Sequence, residues 1–506
     1  MQNVSKEHTY LTKSRYVNGL NCAKEIWLMF NDPKSLPKID QATQNRFDEG
    51  HKVGELAKLL FPTGIEITKI SPKDNDKISR ELLKERRPLF EAGFIHSDGK
   101  CYARADILVP SGKSEWDIIE VKSAASVKEY YLDDISFQKY CYEGAGLKIR
   151  KSFVFYVNKE YVKDGDINPQ DFFMRGEVTE SIDAKVPKVH ENVIKLLKIT
   201  KLKECPEFTR GENYHDDPHG VHENDRFWKE NPDSDILDMY RGGKKAAELF
   251  DFGIIKIKDI PEDYELNEKQ IIQKMAHSSA GTHTNIKELN TFIKRINYPI
   301  YFMDFESYAT AIPLYDGLRP YQQIPFQFSV HVLKNKGQKP THISFLAKGS
   351  KDPRAKFIAE LKKAIGTKGS ILVYNQSFEQ SILEKLVQHS PKYKKWVASI
   401  IPRLVDLLVP FRNFHYYHPH QKGSVSLKHV LPALTGMTYG DLPINNGSQA
   451  SLSYLFITHG AYLGKHATKK EMREIRNDLE KYCGQDTEGM VRILDKLEGI
   501  CQGSQD

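Results

Sequence analysis

Apolar and polar positions along this chain form two α/β patterns, separated by a segment that has neither. Over residues 10–200 the later elements follow the order helix, strand, strand, strand, helix, strand, which is typical of a mixed sheet flanked by helices. The predicted elements are helices over 11–30, 41–62, around 75–90 and 131–147, and strands over 89–94, 102–110, 116–122 and 151–158.

The middle of the chain, residues 201–295, predicts an irregular connector followed by short helices, because its first part is rich in His, Asp, Asn, Gly and Pro. The second α/β pattern has three strands, a helix, a strand and a helix before one long terminal helix. These elements are strands over 299–309, 326–333, 341–347 and 370–375, and helices over 353–366, 378–389 and 469–499. We therefore predict an α/β domain over 1–200, a connector, and a second α/β domain over 296–506.

The composition narrows the class of protein without deciding its function. A chain of 506 residues exceeds one core, and two to four domains are expected at about 100–200 residues each. The net charge of +7 is compatible with a polyanionic partner, although many cytoplasmic proteins share it. The polar amino terminus, the lack of a long apolar run and the six scattered cysteines predict a cytoplasmic, reduced protein that does not span a membrane.

The strand WDIIEVK, residues 116–122, ends in an acid and a base, Glu120 and Lys122. Residues two apart on a strand point to the same face, so both side chains face one space. A Gly-containing turn joins this strand to the preceding one, which carries Asp106, and we predict a β-hairpin that presents all three. Two carboxylates suit Mg²⁺ or Mn²⁺, and a lysine suits the charge that develops on a phosphate during hydrolysis. The alternative is a surface strand with alternating charge.

These residues resemble the motif of the PD-(D/E)XK nucleases, with 13 residues between Asp106 and Glu120. The resemblance implies that Lys122 orients the attacking water. Four further residues follow the order of the RecB-like branch of that superfamily. They are His51 on the upstream helix, Glu91 on the strand before the hairpin, and Gln138 and Tyr142 in a Q-x-x-x-Y pattern on the helix after it.

The RecB-like resemblance covers residues 10–200 and assigns roles to these positions. It implies that His51, Asp106 and Glu120 bind the metal. It also implies that Gln138 and Tyr142, which share one helix face, contact nucleic acid. The alternative is a helix-surface histidine and a packed Gln–Tyr pair.

Some members of the RecB-like branch hold an iron–sulfur cluster through one early cysteine and three late ones, and Cys22 matches the first position. The late three do not occur, and His215, Val221 and Phe227 stand where they are expected. A [4Fe–4S] cluster normally needs four thiolates, so we expect none. Cys205 with nearby histidines leaves a zinc site as an alternative to an ordinary polar loop. The histidines concerned are His215, His219 and His222.

A second group of acids begins on the strand over 299–309, which carries Asp304-Phe-Glu306 with both carboxylates facing the same way. On the terminal helix, Tyr482 and Asp486 are four residues apart and share one face. Between these two motifs, the stretch NQSFE follows a predicted strand, enters a helix and ends at Glu379.

D-x-E, N-x-x-F-D and Y-x-x-x-D in this order resemble the DEDD exonucleases of the tyrosine subtype, which have a ribonuclease-H-like fold. The acid of the second motif is Glu379 here instead of Asp, which is one methylene longer. The resemblance implies that Tyr482 orients the attacking water. It also implies a two-cation site with four carboxylate ligands, Asp304, Glu306, Glu379 and Asp486. Asp406 is a fifth acid, for which a structural role stays open.

Two stretches mix aromatic side chains with cations and amides, as is typical of contacts to single-stranded nucleic acid. The first, 318–329, contains Arg319 and Tyr321, and the second, 414–434, contains Lys428. The same composition suits loops that pack on a core, so both interpretations stay open.

From end to end, the chain resembles an uncharacterised prokaryotic family that fuses a RecB-like nuclease domain to a DEDD-type domain. The resemblance implies a nuclease with two active sites that uses Mg²⁺ or Mn²⁺ and acts on DNA rather than RNA, the second site working 3′ to 5′. One alternative is a nuclease with a single live site and a C-terminal nucleic-acid clamp. Another is a non-catalytic nucleic-acid-binding scaffold, against which the clustered acids argue.

Overall fold

The computed structural model describes residues 10–68, 70–207, 221, 225–460 and 462–503. The chain divides into two compact units, and both are α/β, as the sequence predicts. Unit 1 comprises Met1–Asn231 with Thr310–Gln322, and unit 2 comprises Pro232–Ala309 with Gln323–Asp506. The domain boundaries at 200 and 296 stay a prediction.

Unit 1 contains two sheets and the helices around them. Its strands are β1 (Leu11–Thr12), β2 (Ile65–Glu66), β3 (Leu89–Phe90), β4 (Gly93–Ile95), β5 (Cys101–Arg104), β6 (Ile107–Ser111), β7 (Glu115–Lys122), β8 (Lys148–Val157) and β9 (Phe173–Glu177). Its helices are α1 (Lys13–Asn21), α2 (Ala23–Asn31), α3 (Gln41–Lys58), α4 (Pro72–Leu82), α5 (Glu129–Gly144), α6 (Pro169–Phe172), α7 (Thr179–Ile199) and α8 (Arg226–Glu230). The larger sheet has the order β2-β3-β6-β7-β8-β9, and the smaller one β1-β5-β4.

Strand β7 lies in the middle of the larger sheet, antiparallel to β6 and parallel to β8. Its alternation places Trp116 and Ile118 in one core, and Ile119 on the opposite face in a second core. Both faces are therefore buried, which explains the nearly continuous apolar run. The face that carries Ile118 next presents Glu120 and Lys122, so the strand changes from core to charge at its carboxyl end.

The strand predicted around Asp106 is two strands in the structure, because the chain leaves the smaller sheet after β5 and joins the larger one at β6. Asp106 lies in this break and not on a hairpin strand, which corrects the prediction. Glu91 marks the matching break between β3 and β4 with a φ of 60°. The Tyr142 hydroxyl joins the two breaks, since it donates to the Ala92 carbonyl at 2.5 Å and accepts from the Ala105 amide at 2.8 Å.

The segment Thr310–Gln322 packs on the second core of unit 1. Ala311 is fully buried in that core, and Tyr321 packs against it partly buried. The Ala311 amide donates to Glu49 Oε1 at 2.7 Å, which ties the segment to helix α3. This core is therefore completed by residues far downstream of the rest of unit 1.

Unit 2 is built on a five-stranded sheet. Its strands are β10 (His283–Thr284), β11 (Ile300–Tyr308), β12 (Ile324–Leu333), β13 (Thr341–Leu346), β14 (Ile371–Val373), β15 (Leu404–Asp406) and β16 (Tyr416–Tyr417). Its helices are α9 (Lys244–Asp251), α10 (Glu268–Ser279), α11 (Ile286–Ile293), α12 (Arg354–Ala364), α13 (Gln376–His389), α14 (Lys394–Ile400), α15 (Val409–Arg412), α16 (Leu427–Thr435), α17 (Gly447–Thr458) and α18 (Lys469–Gln502). The sheet order is β13-β12-β11-β14-β15, and β10 pairs with β16 in a separate ribbon.

Strand β11 sits at the centre of this sheet, antiparallel to β12 and parallel to β14. Its odd-numbered side chains, Met303 and Phe305 among them, lie in the core with residues of α12 and α13. Asp304 and Glu306 therefore point to the opposite face, on which helix α18 packs.

Helix α18 has 34 residues, close to the predicted 469–499. It begins at a capping box, in which Thr468 Oγ1 accepts from the Glu471 amide and Glu471 Oε2 accepts from the Thr468 amide. Its buried face includes Leu479, Met490 and Leu497. Neither α18 nor any other helix within the described ranges combines the length and apolarity needed to cross a bilayer.

Candidate functional site

Four carboxylates of unit 2 come from three elements and are named here the acid cluster. Strand β11 supplies Asp304 and Glu306, helix α13 supplies Glu379, and helix α18 supplies Asp486. Asp304 is partly buried and the other three are buried. They meet because α13 begins directly after β14, which neighbours β11 in the sheet. Helix α18 packs on the face of the sheet to which Asp304 and Glu306 point.

The spacing within the acid cluster suits a cation. One oxygen each of Asp304 and Glu306 and the Sγ atom of Cys483 lie within 4.8 Å of one another. Glu379 is 1% exposed, and its Oε2 has no hydrogen-bond partner within the described chain. A buried carboxylate oxygen without a partner is unfavourable unless a cation or a proton compensates it. The donor set therefore fits a divalent cation.

Burial raises the pKa of every carboxyl group in the acid cluster, and the charge of a neighbouring acid adds to the shift at Asp304, Glu306 and Glu379. Burial is the main cause at Asp304, and the charge of Asp486 adds to it. Burial also dominates at Glu306 and Glu379, and the charge of Asp304 raises both further. Burial raises the pKa of Asp486 to about 6. Without a cation, the cluster therefore retains protons at a pH where exposed carboxyls have lost them.

Two tyrosines and a lysine border the acid cluster. The Tyr439 hydroxyl donates to Asp486 Oδ1 at 2.5 Å. Lys428 Nζ lies 5.1 Å from the ring centre of Tyr482 and 5.6 Å from that of Tyr439. Burial lowers the pKa of Lys428 although the nearby acids oppose the shift. Tyr482 and Lys428, two of the predicted site residues, therefore lie beside the acids.

Asp406 has a structural position at the end of β15. Its Oδ1 accepts from the amides of Asn375 and Leu408 at 3.0 and 3.1 Å, and its Oδ2 lies 3.3 Å from Arg412 Nη2. Asn375 itself has a φ of 80°, in the left-handed region that asparagine tolerates. The carboxylate of Asp406 thus fixes the turn that starts helix α13, and through it the position of Glu379.

Unit 1 contains a different arrangement, named here the acid–lysine cluster, which consists of Lys13, Glu120, Lys122 and Asp134. Lys122 Nζ donates to Glu120 Oε1 at 2.6 Å and to Asp134 Oδ2 at 2.8 Å. Lys13 Nζ, from helix α1, also donates to Glu120 Oε1 at 2.9 Å. Gln138 Nε2 donates to Glu120 Oε2 at 2.7 Å. Both carboxylate oxygens of Glu120 therefore have donors.

The charges in unit 1 separate the pKa values of its two predicted acidic ligands. Burial would raise the pKa of Glu120, but Lys122 and Lys13 outweigh it and hold that pKa far below its usual range. Burial raises the pKa of Asp106 to about 7, and the charge of Glu120 adds to the shift. Asp106 Oδ2 accepts one backbone hydrogen bond, from Val121 at 2.7 Å. Near neutral pH, Asp106 is therefore the acid that exchanges its proton.

A cavity of about 550 Å³ opens beside the acid–lysine cluster. Five of the residues that the sequence singled out line it: His51, Glu91, Asp106, Glu120 and Lys122. Lys13 and Arg46 line the same cavity. Glu91 is paired there with Arg104, its Oε2 lying 2.6 Å from Arg104 Nε. The structure thus brings the predicted site of unit 1 together around one opening.

Other predicted nucleic-acid contacts are engaged within the protein. Tyr142 is fully buried and bonded to backbone, and Gln138 is fully buried and bonded to Glu120. Because both side chains are engaged within the protein and too enclosed for a polymer to reach, this placement does not support direct contact with nucleic acid and favours a supporting role for both. Arg319 forms an ion pair with Glu160, and Tyr321 packs on the second core of unit 1.

Cys22 and Cys205, the two cysteines that the sequence singled out, each have a contact within the protein. Cys22 caps helix α2, because its Sγ accepts from the Glu25 amide at 3.2 Å. Cys205 Sγ lies 3.6 Å from the Pro206 carbonyl oxygen. The zinc alternative also involves His215, His219 and His222, which lie outside the described residues.

Four residues of these sites escaped the sequence reasoning. Lys13 carries no signal, since it is 107 positions from Glu120. Asp134 did have a signal in the sequence, because it precedes Gln138 by four residues on the same helix face. Tyr439 and Cys483 stand outside the motif positions, although Cys483 lies next to Tyr482 in the sequence.

Residues 301–426 match the model of a family described as Domain of unknown function (DUF2779). The chain is 26% identical over 237 residues to Uncharacterized protein MG366 of Mycoplasma genitalium, which covers 43% of this chain and 34% of that protein. It is 27% identical over 234 residues to Uncharacterized protein UU173 of Ureaplasma parvum, which covers 40% of this chain and 32% of that protein. The chain thus matches about a third of the length of these relatives. The family match includes Asp304, Glu306 and Glu379, whereas Asp486 lies beyond it.

Proposed function

We propose that this protein is a divalent-metal-dependent nuclease that hydrolyses phosphodiester bonds, in DNA rather than RNA, with one centre in each unit. The observation that carries the proposal is the acid cluster of unit 2. It places four carboxylates together, with Lys428 as the one cation that lowers the pKa of Asp304, Glu306 and Asp486 among the described residues. Such an excess of buried negative charge suits a bound cation.

The residues around the acid cluster have roles that fit hydrolysis. A divalent cation bound there supplies Lewis-acid activation of the phosphate and of a water. Asp304, Glu306, Glu379 and Asp486 are the residues that would hold it. The Tyr482 hydroxyl orients the attacking water, and the Lys428 ammonium offsets charge that develops on the phosphate.

The fold of unit 2 supports the DEDD assignment. Three antiparallel strands followed by two parallel ones, in the order β13-β12-β11-β14-β15, resemble the ribonuclease-H-like sheet. The D-x-E acids are on its first strand and the Y-x-x-x-D residues on its last helix, as in that family. Glu379 reaches the cluster despite the extra methylene, because its charge affects Glu306 and the charge of Asp304 affects it.

The cavity of unit 1 supports the PD-(D/E)XK assignment for a second centre. His51, Asp106 and Glu120 line one opening and are the proposed metal ligands there. Lys122 is the proposed water-orienting residue, since it lines the same cavity and its ammonium lies 2.6 Å from Glu120 Oε1.

A second candidate follows from the bonding of Glu120. Its Oε1 accepts from both Lys13 and Lys122 and its Oε2 from Gln138, so a cation at Glu120 competes with two ammonium groups. This observation favours a nuclease in which unit 2 alone cleaves and the cavity of unit 1 holds the nucleic acid.

One assay tests both candidates and also the clamp alternative for unit 2. Single- and double-stranded DNA and RNA, labelled at the 5′ or 3′ end, are incubated with the full chain and Mg²⁺, Mn²⁺, Co²⁺ or EDTA. Asp304→Ala, Lys122→Ala and the double variant are compared with wild type. Matched controls are Lys113→Ala, in the exposed turn before β7, and Glu384→Gln, on the same helix as Glu379.

We expect metal-dependent cleavage that falls in each single variant, disappears in the double variant and is unchanged in the controls. Loss in Asp304→Ala alone would establish the second candidate, and loss in Lys122→Ala alone would make unit 2 the clamp. Absence of metal-dependent cleavage on every substrate would overturn the nuclease proposal.

A further inference from the structure

The sulfur of Cys483 lies beside the acid cluster, although sulfur is not a ligand that Mg²⁺ takes. Its thiol is fully buried on helix α18 and lies 3.6 Å from Asp304 Oδ2. Together with an oxygen of Glu306, these two atoms form a triad within 4.8 Å. Hard cations such as Mg²⁺ take oxygen ligands, whereas sulfur selects softer metals.

The distances within this triad suit a shared cation. A sulfur at ~2.3 Å and an oxygen at ~2.1 Å from one metal, at a tetrahedral angle, lie about 3.6 Å apart. The observed separation of Sγ and Oδ2 is 3.6 Å. The geometry therefore agrees with ligands of one tetrahedral ion without any movement of these two side chains.

A second observation points to a ligand at the same place. Glu379 is buried, its Oε2 has no hydrogen-bond partner in the described ranges, and its carboxylate interacts electrostatically with Asp304 and Glu306. A fourth carboxylate thus lies close enough to the triad to interact with it electrostatically, and one of its oxygens has no hydrogen-bond partner among the described residues.

We propose that Cys483 is a metal ligand with Asp304 and Glu306, and that its sulfur makes this site prefer Zn²⁺, Co²⁺ or Fe²⁺ to Mg²⁺. The thiol proton passes to solvent as the sulfur lone pair bonds to the cation. The inference rests on the proposed function only in taking the acid cluster as a cation site, and it names the class of that cation. The competing role for Cys483 is a thiol that only donates a hydrogen bond to Asp304.

Co²⁺ alone is the probe, because its thiolate complexes absorb in the near ultraviolet and its carboxylate complexes do not. The reduced, EDTA-treated full chain is titrated with Co²⁺, and the charge-transfer band is followed in wild type and in Cys483→Ser. Serine keeps a hydrogen-bond donor but removes the sulfur. Cys501→Ser, also buried on α18, and Cys205→Ser, in the connector, are the matched controls.

We expect one equivalent of Co²⁺ to produce the band in wild type and both controls, and Cys483→Ser to lack it. Wild type should bind Co²⁺ at least ~10-fold more tightly than Mg²⁺ in competition, and Cys483→Ser should narrow that ratio. The thiolate band in wild type, compared with Cys501→Ser and Cys205→Ser, tests the proposal even if Cys483→Ser does not fold. No band in wild type, a band that persists in Cys483→Ser, or equal affinity for both metals would overturn it.

The readouts separate this inference from the nuclease proposal. A Co²⁺–thiolate band in a protein that cleaves no substrate would establish the metal site and refute the nuclease. Mg²⁺-dependent cleavage that requires Asp304, without the band, would support the nuclease and refute the sulfur ligand.

Discussion

The two candidate sites handle buried negative charge in opposite ways. In the acid–lysine cluster, Lys13 and Lys122 balance Glu120 and Asp134 with charges supplied by the chain itself. In the acid cluster, Lys428 offsets the charge of Asp304, Glu306 and Asp486 only in part, and the pKa of all four carboxyl groups rises. The first site is complete as folded, whereas the second becomes complete only with protons or a cation. Clustered acids therefore indicate a metal site most clearly where the chain itself supplies little balancing charge.

Removal of a lysine from the balanced site should have the largest effect. Lys13→Met leaves Glu120 and Asp134 with one cation, and we expect the free energy of unfolding to fall by about 3 kcal/mol. Urea denaturation at pH 7 measures this loss. Lys113→Met, which replaces an exposed lysine, should change stability by less than ~0.5 kcal/mol. Equal stability of Lys13→Met and wild type would show that the ion pairs of Lys13 do not contribute to the free energy of unfolding.

The unbalanced site should make stability depend on pH. The folded pKa of Asp486, about 6, exceeds the 3.8 of an unperturbed aspartate, so its contribution is fully present below pH 3.8 and is lost as pH rises through 6. In EDTA, the stability difference between wild type and Asp486→Asn should fall by about 2.4 kcal/mol from pH 4 to pH 7. Urea titrations across this range measure it. A difference that stays constant with pH would contradict the assigned shift.

Metal affinity should distinguish the two sites next. A cation at Glu120 competes with the ammonium groups of Lys13 and Lys122, whose hydrogen bonds to the carboxylate are worth ~1.5–3 kcal/mol each, so we expect the acid cluster to bind Mn²⁺ about 100-fold more tightly. Calorimetric titration of wild type should resolve a tight and a weak event. Asp304→Asn should remove the tight one and Asp106→Asn the weak one. Two binding events of equal affinity would contradict the predicted difference between the two sites.

The smallest effect should come from Tyr439. Tyr439→Phe removes the hydrogen bond to Asp486, so the pKa of Asp486 should rise and Mn²⁺ affinity should fall by about tenfold. The Mn²⁺ titration measured at pH 6 and pH 8 tests this, since the deficit should be larger at pH 6. Tyr374→Phe, whose hydroxyl donates to the Val425 carbonyl, is the matched control and should leave affinity unchanged.

The sequence predicted the acids because strand periodicity is local. D-x-E on β11 and E-x-K on β7 each put two charges on one face, and the alternation of the surrounding apolar residues specified the strand. Glu120 and Lys122 are within hydrogen-bond distance, as that periodicity requires. The order of strands and helices could also be predicted, since each element has its own pattern of apolar and polar residues.

What the sequence did not indicate depends on contacts between distant segments. Lys13 reaches Glu120 across 107 positions, and no periodicity links the two. The break at Asp106 exists because the chain changes sheets there, which the apolar pattern of the segment does not encode. Tyr142 was placed on the correct helix, but its hydroxyl closes a gap between two strands instead of facing a ligand.

The inclusion of Thr310–Gln322 in unit 1 has a consequence for synthesis on the ribosome. The core that contains Ala311 lacks the side chains of Thr310–Gln322 until the ribosome has synthesised residue 322, which comes after strand β11. The amino-terminal 231 residues are therefore exposed to chaperones and proteases with an unfinished core, and a gene cut at that point yields a fragment that lacks part of its own interior. Unit 1 therefore has its full interior only in a chain that extends at least to Gln322.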